Sequence, residues 1–409
     1  MNAATWVRSP IDPADRHLLT RRGTKSVLVL VPHIVAGTRL LDLLPLLEAD
    51  HRIQVVFTNP HEDDNWHATH EFLHAHGAVV LPWAQARRSS PDLVIAGSVA
   101  GLDQLAAPTL LVPHGGGFGQ YRNGSPPGTT FTQPPHLRTN LNPDLLMRDG
   151  RLRADAIVLV HHREHSLLAQ LCPPALPAAV VAGDIALDRL TASLPFRHQY
   201  RHALGASDDQ QVVMVTSTWS PRSAFGRHPD MFDRVIAELP RDRYRVVAAL
   251  HPQIWSHHSS WQLRSWLADA LRAGLTLLPP EEGWRAALVA ADHVIGDYGS
   301  VTGYGATTGA SILLADTPDR PLLPGTPTEI LARHAPRWQL DQPLEPQLDA
   351  AARARDTAEL PELIRELLTS QPGRAGQILR RTLYRLLNLP EPARAVPTSP
   401  VPLPTPRTP

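Results

Sequence analysis

The segment Gly296-Asp297-Tyr298-Gly299-Ser300-Val301-Thr302-Gly303-Tyr304-Gly305 sets a carboxylate and two aliphatic hydroxyls among small residues, between apolar runs at 293–295 and 311–314. It reads as a strand, a small-residue loop, a helix start and a second strand. Ser300 or Thr302 can cap that helix, and the free N–H groups of its first turn face the loop. Unpaired donors and the helix dipole both favour an anion there, phosphate above all. Asp297, just ahead of the loop, suits a ribose, sugar or leaving-group hydroxyl. The alternative reading is an ordinary βα turn.

Other residues with usable chemistry also fall just after apolar runs, where open parallel sheets bind ligands. His114 follows one such run and meets Gly115, Gly116 and Gly117. Glycines let backbone approach a ligand, and an imidazole with an ordinary pKa of about 6.5 can take a proton from a hydroxyl near neutral pH. The loop is no GxGxxG fingerprint, since Gln120 stands where the last glycine is needed, so no classical NAD site is expected. His251 precedes Pro252, which disfavours helical backbone at the histidine and holds it extended. Ser217, Thr218 and Arg222 follow the run at 212–215, with hydroxyls and a guanidinium suited to phosphate or ribose. His33 ends the first run and is a reserve candidate on the acceptor side. The stretch from Ala182 through Gly183, Asp184 and Asp188 reads most simply as a hinge. His67, His70 and His74 share a helix face, and His161, His162 and His165 form a second group. Neither completes a metal-ligand pattern, and no metal is expected.

Two repeating series must position these residues. Apolar runs at 26–31, 53–57, 78–81, 93–96, 109–112 and 156–160 alternate with helical spacing at 40–47 and 66–76. A second series has strands at 212–215, 245–250, 275–278, 293–295 and 312–314 and helices at 231–239, 261–273, 328–333, 360–368 and 376–387. Continuous apolar runs belong to strands buried on both faces, and their alternation with helices predicts parallel α/β sheets. We therefore expect a polar segment at 1–22, a Rossmann-like acceptor domain at 23–182, a linker at 183–205 and a Rossmann-like nucleotide-donor domain at 206–388. The eight prolines between 390 and 409 predict a disordered, passive tail at 389–409 whose deletion leaves folding intact.

Bulk properties narrow the class. The 409 residues hold 39 Lys plus Arg and 39 Asp plus Glu, so general attraction to nucleic acid is not expected. Lys25 is the only lysine and Cys172 the only cysteine, which excludes an internal disulfide and fits a reducing cytoplasm. No apolar run approaches the roughly 20 residues of a membrane helix. The basic surface that peripheral membrane contact would need is not apparent in the sequence.

In this order, His114-Gly115, Gly183 with Asp188, Ser217-Thr218-Trp219, His251-Pro252 and Gly296-Asp297-Tyr298-Gly299-Ser300 resemble the motif series of the CDP-glycerol glycerophosphotransferases, teichoic-acid polymerases and primases of the GT-B glycosyltransferase fold. The likeness covers about residues 105–315. It implies two Rossmann-like domains facing across a cleft, with a CDP- or UDP-linked donor held as substrate and no tightly bound cofactor. By carry-over His114 is the general base on the acceptor hydroxyl. His251, Ser300 and nearby amides, with Tyr298, Gly299, Val301 and Thr302, meet the diphosphate, and Asp297 helps place the donor. The chain departs from the pattern at Gly116 to Gln120, at Ser220 in place of arginine, and at Gly299 in place of the first serine. A UDP-sugar 2-epimerase and a non-catalytic nucleotide-binding protein are the competing readings.

Overall fold

The computed structural model describes residues 6–11, 19–61, 68–113, 120–121, 137–281, 283–317, 322–357, 359–396 and 398–404. His114, Gly115, Gly116, Gly117 and His67 lie outside the described residues.

Two parallel sheets organise the chain. The first contains β1 (Lys25–Leu30), β2 (Ile53–Thr58), β3 (Val80–Leu81), β4 (Leu93–Ala96), β5 (Thr109–Leu111), β6 (Ala156–Leu159) and β7 (Ala179–Val181), in the order β7-β6-β5-β4-β1-β2-β3. The second contains β8 (Gln211–Ser217), β9 (Tyr244–Leu250), β10 (Thr276–Leu277), β11 (His293–Gly296) and β12 (Ser311–Leu314), in the order β10-β9-β8-β11-β12. Both sheets start at a central strand, build outward, then reverse, which is the doubly wound Rossmann pattern. The apolar runs are the cause: Val27 to Leu30 and Val212 to Val215 are each fully buried, as strands covered on both faces must be. The α/β class expected from the sequence is the class found.

The helices that bear on the site are α1 (Ile34–Leu41), α2 (His162–Leu171), α3 (Ile185–Ser193), α4 (Arg197–Ala203), α5 (Pro252–His258), α6 (Ser260–Trp266), α7 (Ser300–Thr307), α8 (Leu344–Thr357) and α9 (Ala375–Leu386). The expected helix at 40–47 is the end of α1 followed by a 3₁₀ turn at Leu44–Leu47, with Pro45 in the first positions of that turn. Among the described residues, no helix is long and apolar enough to cross a membrane.

The chain divides into two compact units, and the division departs from the expected boundaries. One unit takes the described residues up to Pro113, then Arg138–Asp188 and Ser370–Thr398; the other takes Arg189–Thr369 and Ser399 onward. Helix α9 therefore does not close the second domain, as the expected span 206–388 required. Its Leu379, Leu383 and Tyr384 share a core with Val27, Val29, Leu40 and Leu43 of the first unit. Asp188 fixes the start of this return, since its carboxylate accepts from the Gly373 N–H at 2.7 Å and the Ala375 N–H at 2.9 Å. Asp184 accepts from the N–H groups of Ala186 and Leu187 at the start of α3, 3.5 Å from the Arg39 guanidinium. The Gly183-to-Asp188 element is thus a pair of helix-end anchors after a glycine at φ +89°.

The proline-rich segment is ordered over its described residues, against expectation. In the first unit Arg380, 2% exposed, donates to the carbonyls of Pro392 and Ala395, and Arg52 donates to Pro390 O. In the second unit Arg189 donates to Ser399 O and Pro400 O, each at 3.0 Å, and the Tyr200 hydroxyl donates to Val401 O. Val401 is itself buried, and its N–H donates to Ser193 Oγ at 2.9 Å. Extended proline segments leave their carbonyls unpaired, so arginine donors can hold them in place.

Candidate functional site

In the second sheet the winding direction reverses between β8 and β11, which pair in parallel with Val215 opposite Ile295. Open α/β sheets bind ligands beyond the carboxyl ends of the strands at such a point. Ser217 ends β8, Thr218 follows it, and Asp297 follows β11. The structure brings them together: Asp297 Oδ2 accepts from the Thr218 N–H and hydroxyl, both at 2.8 Å, with Ser217 Oγ at 3.2 Å and the Ala224 N–H at 3.1 Å. Oδ1 accepts from the Gly299 N–H at 3.1 Å. Asp297 is 1% exposed. Burial pushes its carboxyl up from the ordinary range, and the surrounding donors pull it back. Its two oxygens are occupied by protein donors, so it is the knot that ties the loop after β8 to the loop after β11.

That knot constrains the loop carrying Thr218, Trp219 and Arg222. Ser220 sits at φ +102°, in the left-handed region that strains a residue with a side chain. Its carbonyl accepts from the Ser223 hydroxyl at 2.8 Å and the Ser223 N–H at 3.1 Å. Arg222 is exposed. Backbone strain held by a buried network is a mark of functional loops.

Helix α7 begins at Ser300, so its cap lies one residue before Ser300 and three before Thr302, the two expected caps. Gly299 is its N-cap, with extended backbone and no side-chain cap, so Ser300 and Thr302 are inside the first turn. The residue has no room to be larger, since a Cβ on Gly299 would lie 2.7 Å from Thr218 Cγ2. This accounts for a glycine at this position: the loop after β8 packs against it. Gly296 is equally constrained, by Thr302 Oγ1 at 2.4 Å and Thr216 Cγ2 at 2.9 Å from a Cβ there. By helix geometry the amides of Ser300 and Val301 have no partner further back in α7, whereas Thr302 N–H reaches Gly299 O at 3.2 Å. Thr302 Oγ1 is buried without a hydrogen-bond partner. Ser300 is exposed, and Tyr298 and Val301 are half-buried.

His251 directly follows β9 and caps α5. Its backbone is extended at ψ 136°, as Pro252 demands, and Nδ1 accepts from the Gln253 N–H at 3.1 Å. An accepting Nδ1 carries no proton, so in the neutral ring Nε2 is the N–H donor. The Trp219 ring lies 6.5 Å from that of His251, centroid to centroid.

In the first unit His33 caps α1, its Nδ1 accepting from the Ala36 N–H at 3.2 Å. His161 caps α2 in the same way, toward Arg163 N–H at 3.0 Å. His251 follows β9 directly, His161 follows β6 after one residue, and His33 follows β1 after two. Sequence reasoning missed Glu164, three residues after His161. Its carboxylate accepts from Val160 N–H at 2.7 Å and from the His161 N–H, closing a capping box, and burial pushes the carboxyl up to about 7. The folded state thus holds this proton more tightly than the unfolded chain. The associated stability is complete below the ordinary value of 4.5 and is lost as pH rises through about 7. Glu164→Gln should therefore flatten the fall in urea midpoint between pH 5 and pH 8; an unchanged fall refutes this role. Among the described residues no group of three or more His, Cys, Asp or Glu could hold a metal ion.

No family model matches the chain, and no curated protein matches it. Solved structures do. A variant of the wall teichoic acid polymerase TagF soaked with CDPG aligns with a TM-score of 0.59 at 14% identity, covering 90% of each chain. TagF itself aligns with a TM-score of 0.54 at 12% identity, again over 90% of each chain. Two Rossmann-like units in this order and this structural match give the chain the GT-B fold, in a form divergent in sequence from TagF.

Proposed function

We propose that the second unit binds the diphosphate of a nucleotide-linked donor beyond β8, β9 and β11, and that the protein transfers a glycosyl or glycerophosphoryl-type group to an acceptor hydroxyl. The observation that carries this reading is the Asp297 knot at the reversal point, which holds the loop after β8 beside the amides that open α7. Those amides and the Nε2–H of His251 are donors suited to an anion. The fold shared with a polymerase soaked with CDPG supports the same class of donor.

The chemistry follows from the parts. The acceptor oxygen forms a bond to the sugar carbon or to the glycerol-bearing phosphorus. The bond from that atom to the leaving phosphate oxygen breaks, and its electron pair stays with the nucleotide. Donors at α7 and His251 stabilise that charge. His114, through the family resemblance, takes the hydroxyl proton. Asp297 acts as a positioning group rather than by touching the donor.

Variants of His251 test the reading. His251→Ala removes both the cap and the Nε2–H donor, and should weaken nucleotide affinity by about 10–100-fold, as expected for a charge-assisted bond. His251→Gln restores a donor at similar reach and should recover part of it. Equal affinities for all three proteins, by calorimetric titration, would remove His251 from the site.

A further inference from the structure

An exposed indole stands beside the His251 donor of the proposed site. Trp219 is 43% exposed, and its ring centroid lies 6.5 Å from that of His251, with the planes tilted by 40°. His257, near the end of α5, meets it edge-on at 6.0 Å. Neither imidazole lies parallel to the indole, so neither covers it as a stacked partner would. Trp284 of the same unit is the contrast, since it is stacked on Tyr304 at 4.9 Å and 24°. Trp219 is also held from both sides along the chain. Thr218 before it gives its N–H and its hydroxyl to the buried Asp297 carboxylate. Ser220 after it sits at φ +102°, and the Ser220 carbonyl accepts from the Ser223 hydroxyl and N–H. The next turn presses on the same point, since a Cβ on Gly226 would collide with Ser220 O. An exposed side chain between two fixed neighbours has little backbone freedom left to lose when a ligand binds.

We infer that Trp219 is the platform on which the nucleobase of the donor stacks. The inference rests on the donor reading above and adds to it the residue that holds the nucleoside half. Three parts of a nucleotide-linked donor could meet the indole. The diphosphate is an anion, and an aromatic face carries the negative side of the ring quadrupole, so the face disfavours it. The transferred group is a sugar or a glycerol, neither of them planar and aromatic. The base alone offers a flat π-face. It is joined to the diphosphate through a single ribose, which keeps it near a phosphate held by His251. Base–aromatic stacking is open to every base, because each has a π-face. Trp219 should therefore strengthen binding without choosing among nucleotides.

Calorimetric titration of the full chain tests this, with CDP, UDP, GDP, dTDP, CDP-glycerol, UDP-GlcNAc and inorganic pyrophosphate. Trp219→Ala should weaken every nucleoside diphosphate that the unaltered protein binds by about tenfold or more, the scale of one base–aromatic stack. It should leave the affinity for pyrophosphate unchanged. Trp219→Phe should retain part of the nucleotide affinity, and Trp261→Ala, at an exposed indole of α6, should retain all of it. If Trp219→Ala does not fold, Trp219→Leu, which fills space without a π-face, takes its place. Equal nucleoside diphosphate affinities with and without the Trp219 indole overturn the inference and leave the donor site standing. A loss confined to CDP-glycerol or UDP-GlcNAc also overturns it, and places the transferred group on the indole. An equal loss for pyrophosphate overturns it as well, and makes Trp219 a part of the phosphate site. If the unaltered protein binds no nucleoside diphosphate, the donor reading and this inference fail together.

Discussion

Asp297→Ala is expected to lower stability by about 3–5 kcal/mol and to abolish nucleotide binding, whereas Asp297→Asn should lose only about 1–2 kcal/mol. The difference comes from how the donors divide. Oδ2 faces the Thr218 N–H and hydroxyl, Ser217 Oγ and the Ala224 N–H, while Oδ1 faces only the Gly299 N–H. Asparagine can keep its carbonyl on the crowded side and place its NH₂ toward Gly299, so one contact turns repulsive. Alanine leaves every donor short in a site that is closed to water, and unsatisfied buried donors carry the full desolvation cost. Urea unfolding followed by tryptophan fluorescence would read both variants. If alanine and asparagine cost the same, the division of donors is not what stabilises the loop.

Removing residues 390–409 should destabilise the protein by about 5 kcal/mol or more, against the sequence expectation of a dispensable tail. Three effects add. Val401 is 3% exposed and loses its burial, worth about 1.5–3 kcal/mol. The Tyr200 hydroxyl and the Arg189 guanidinium lose carbonyl partners. Arg380, 2% exposed, loses Glu391 and the carbonyls of Pro392 and Ala395, and a buried unpaired charge is among the costliest defects. Calorimetry of the truncated chain should show a lower midpoint, and Val401→Asp alone should reproduce part of the shift. An unchanged transition would mean that these contacts contribute nothing to stability.

What could be read from the sequence follows from how local each cause is. Strands buried on both faces announce themselves as apolar runs, so the Rossmann pattern was visible in Val27 to Leu30 and Val212 to Val215. The extended backbone of His251 was visible because Pro252 imposes it sterically. Its cap on α5 was not, since that helix shows few periodic apolar positions. The cap of α7 was misplaced, by one residue at Ser300 or three at Thr302, because serine and threonine are the usual caps, while packing against Thr218 selects glycine at the cap. Helix α8 was missed, although Leu344, Leu348 and Ala351 repeat at helical spacing and are buried. The amphipathic stripe of α9 was legible, but a stripe does not say which sheet it meets. The ordered tail gave little signal, because Val396, Val401 and Glu391 show no periodicity and its other anchors are its own backbone carbonyls, met by the distant residues Arg52, Arg189, Tyr200 and Arg380.

The central claim is that a nucleotide diphosphate binds beyond β8, β9 and β11. It is tested most directly by thermal unfolding of the full chain with CMP, CDP, CDP-glycerol, UDP, UDP-GlcNAc, GDP and dTDP, each at a saturating concentration. A ligand that binds only the folded state raises the midpoint by mass action, about 2.7 kcal/mol of stabilisation at 100 times its Kd. The account predicts a rise with at least one diphosphate, larger than with CMP and reduced in His251→Ala. A well-folded protein whose midpoint moves with none of them would contradict it.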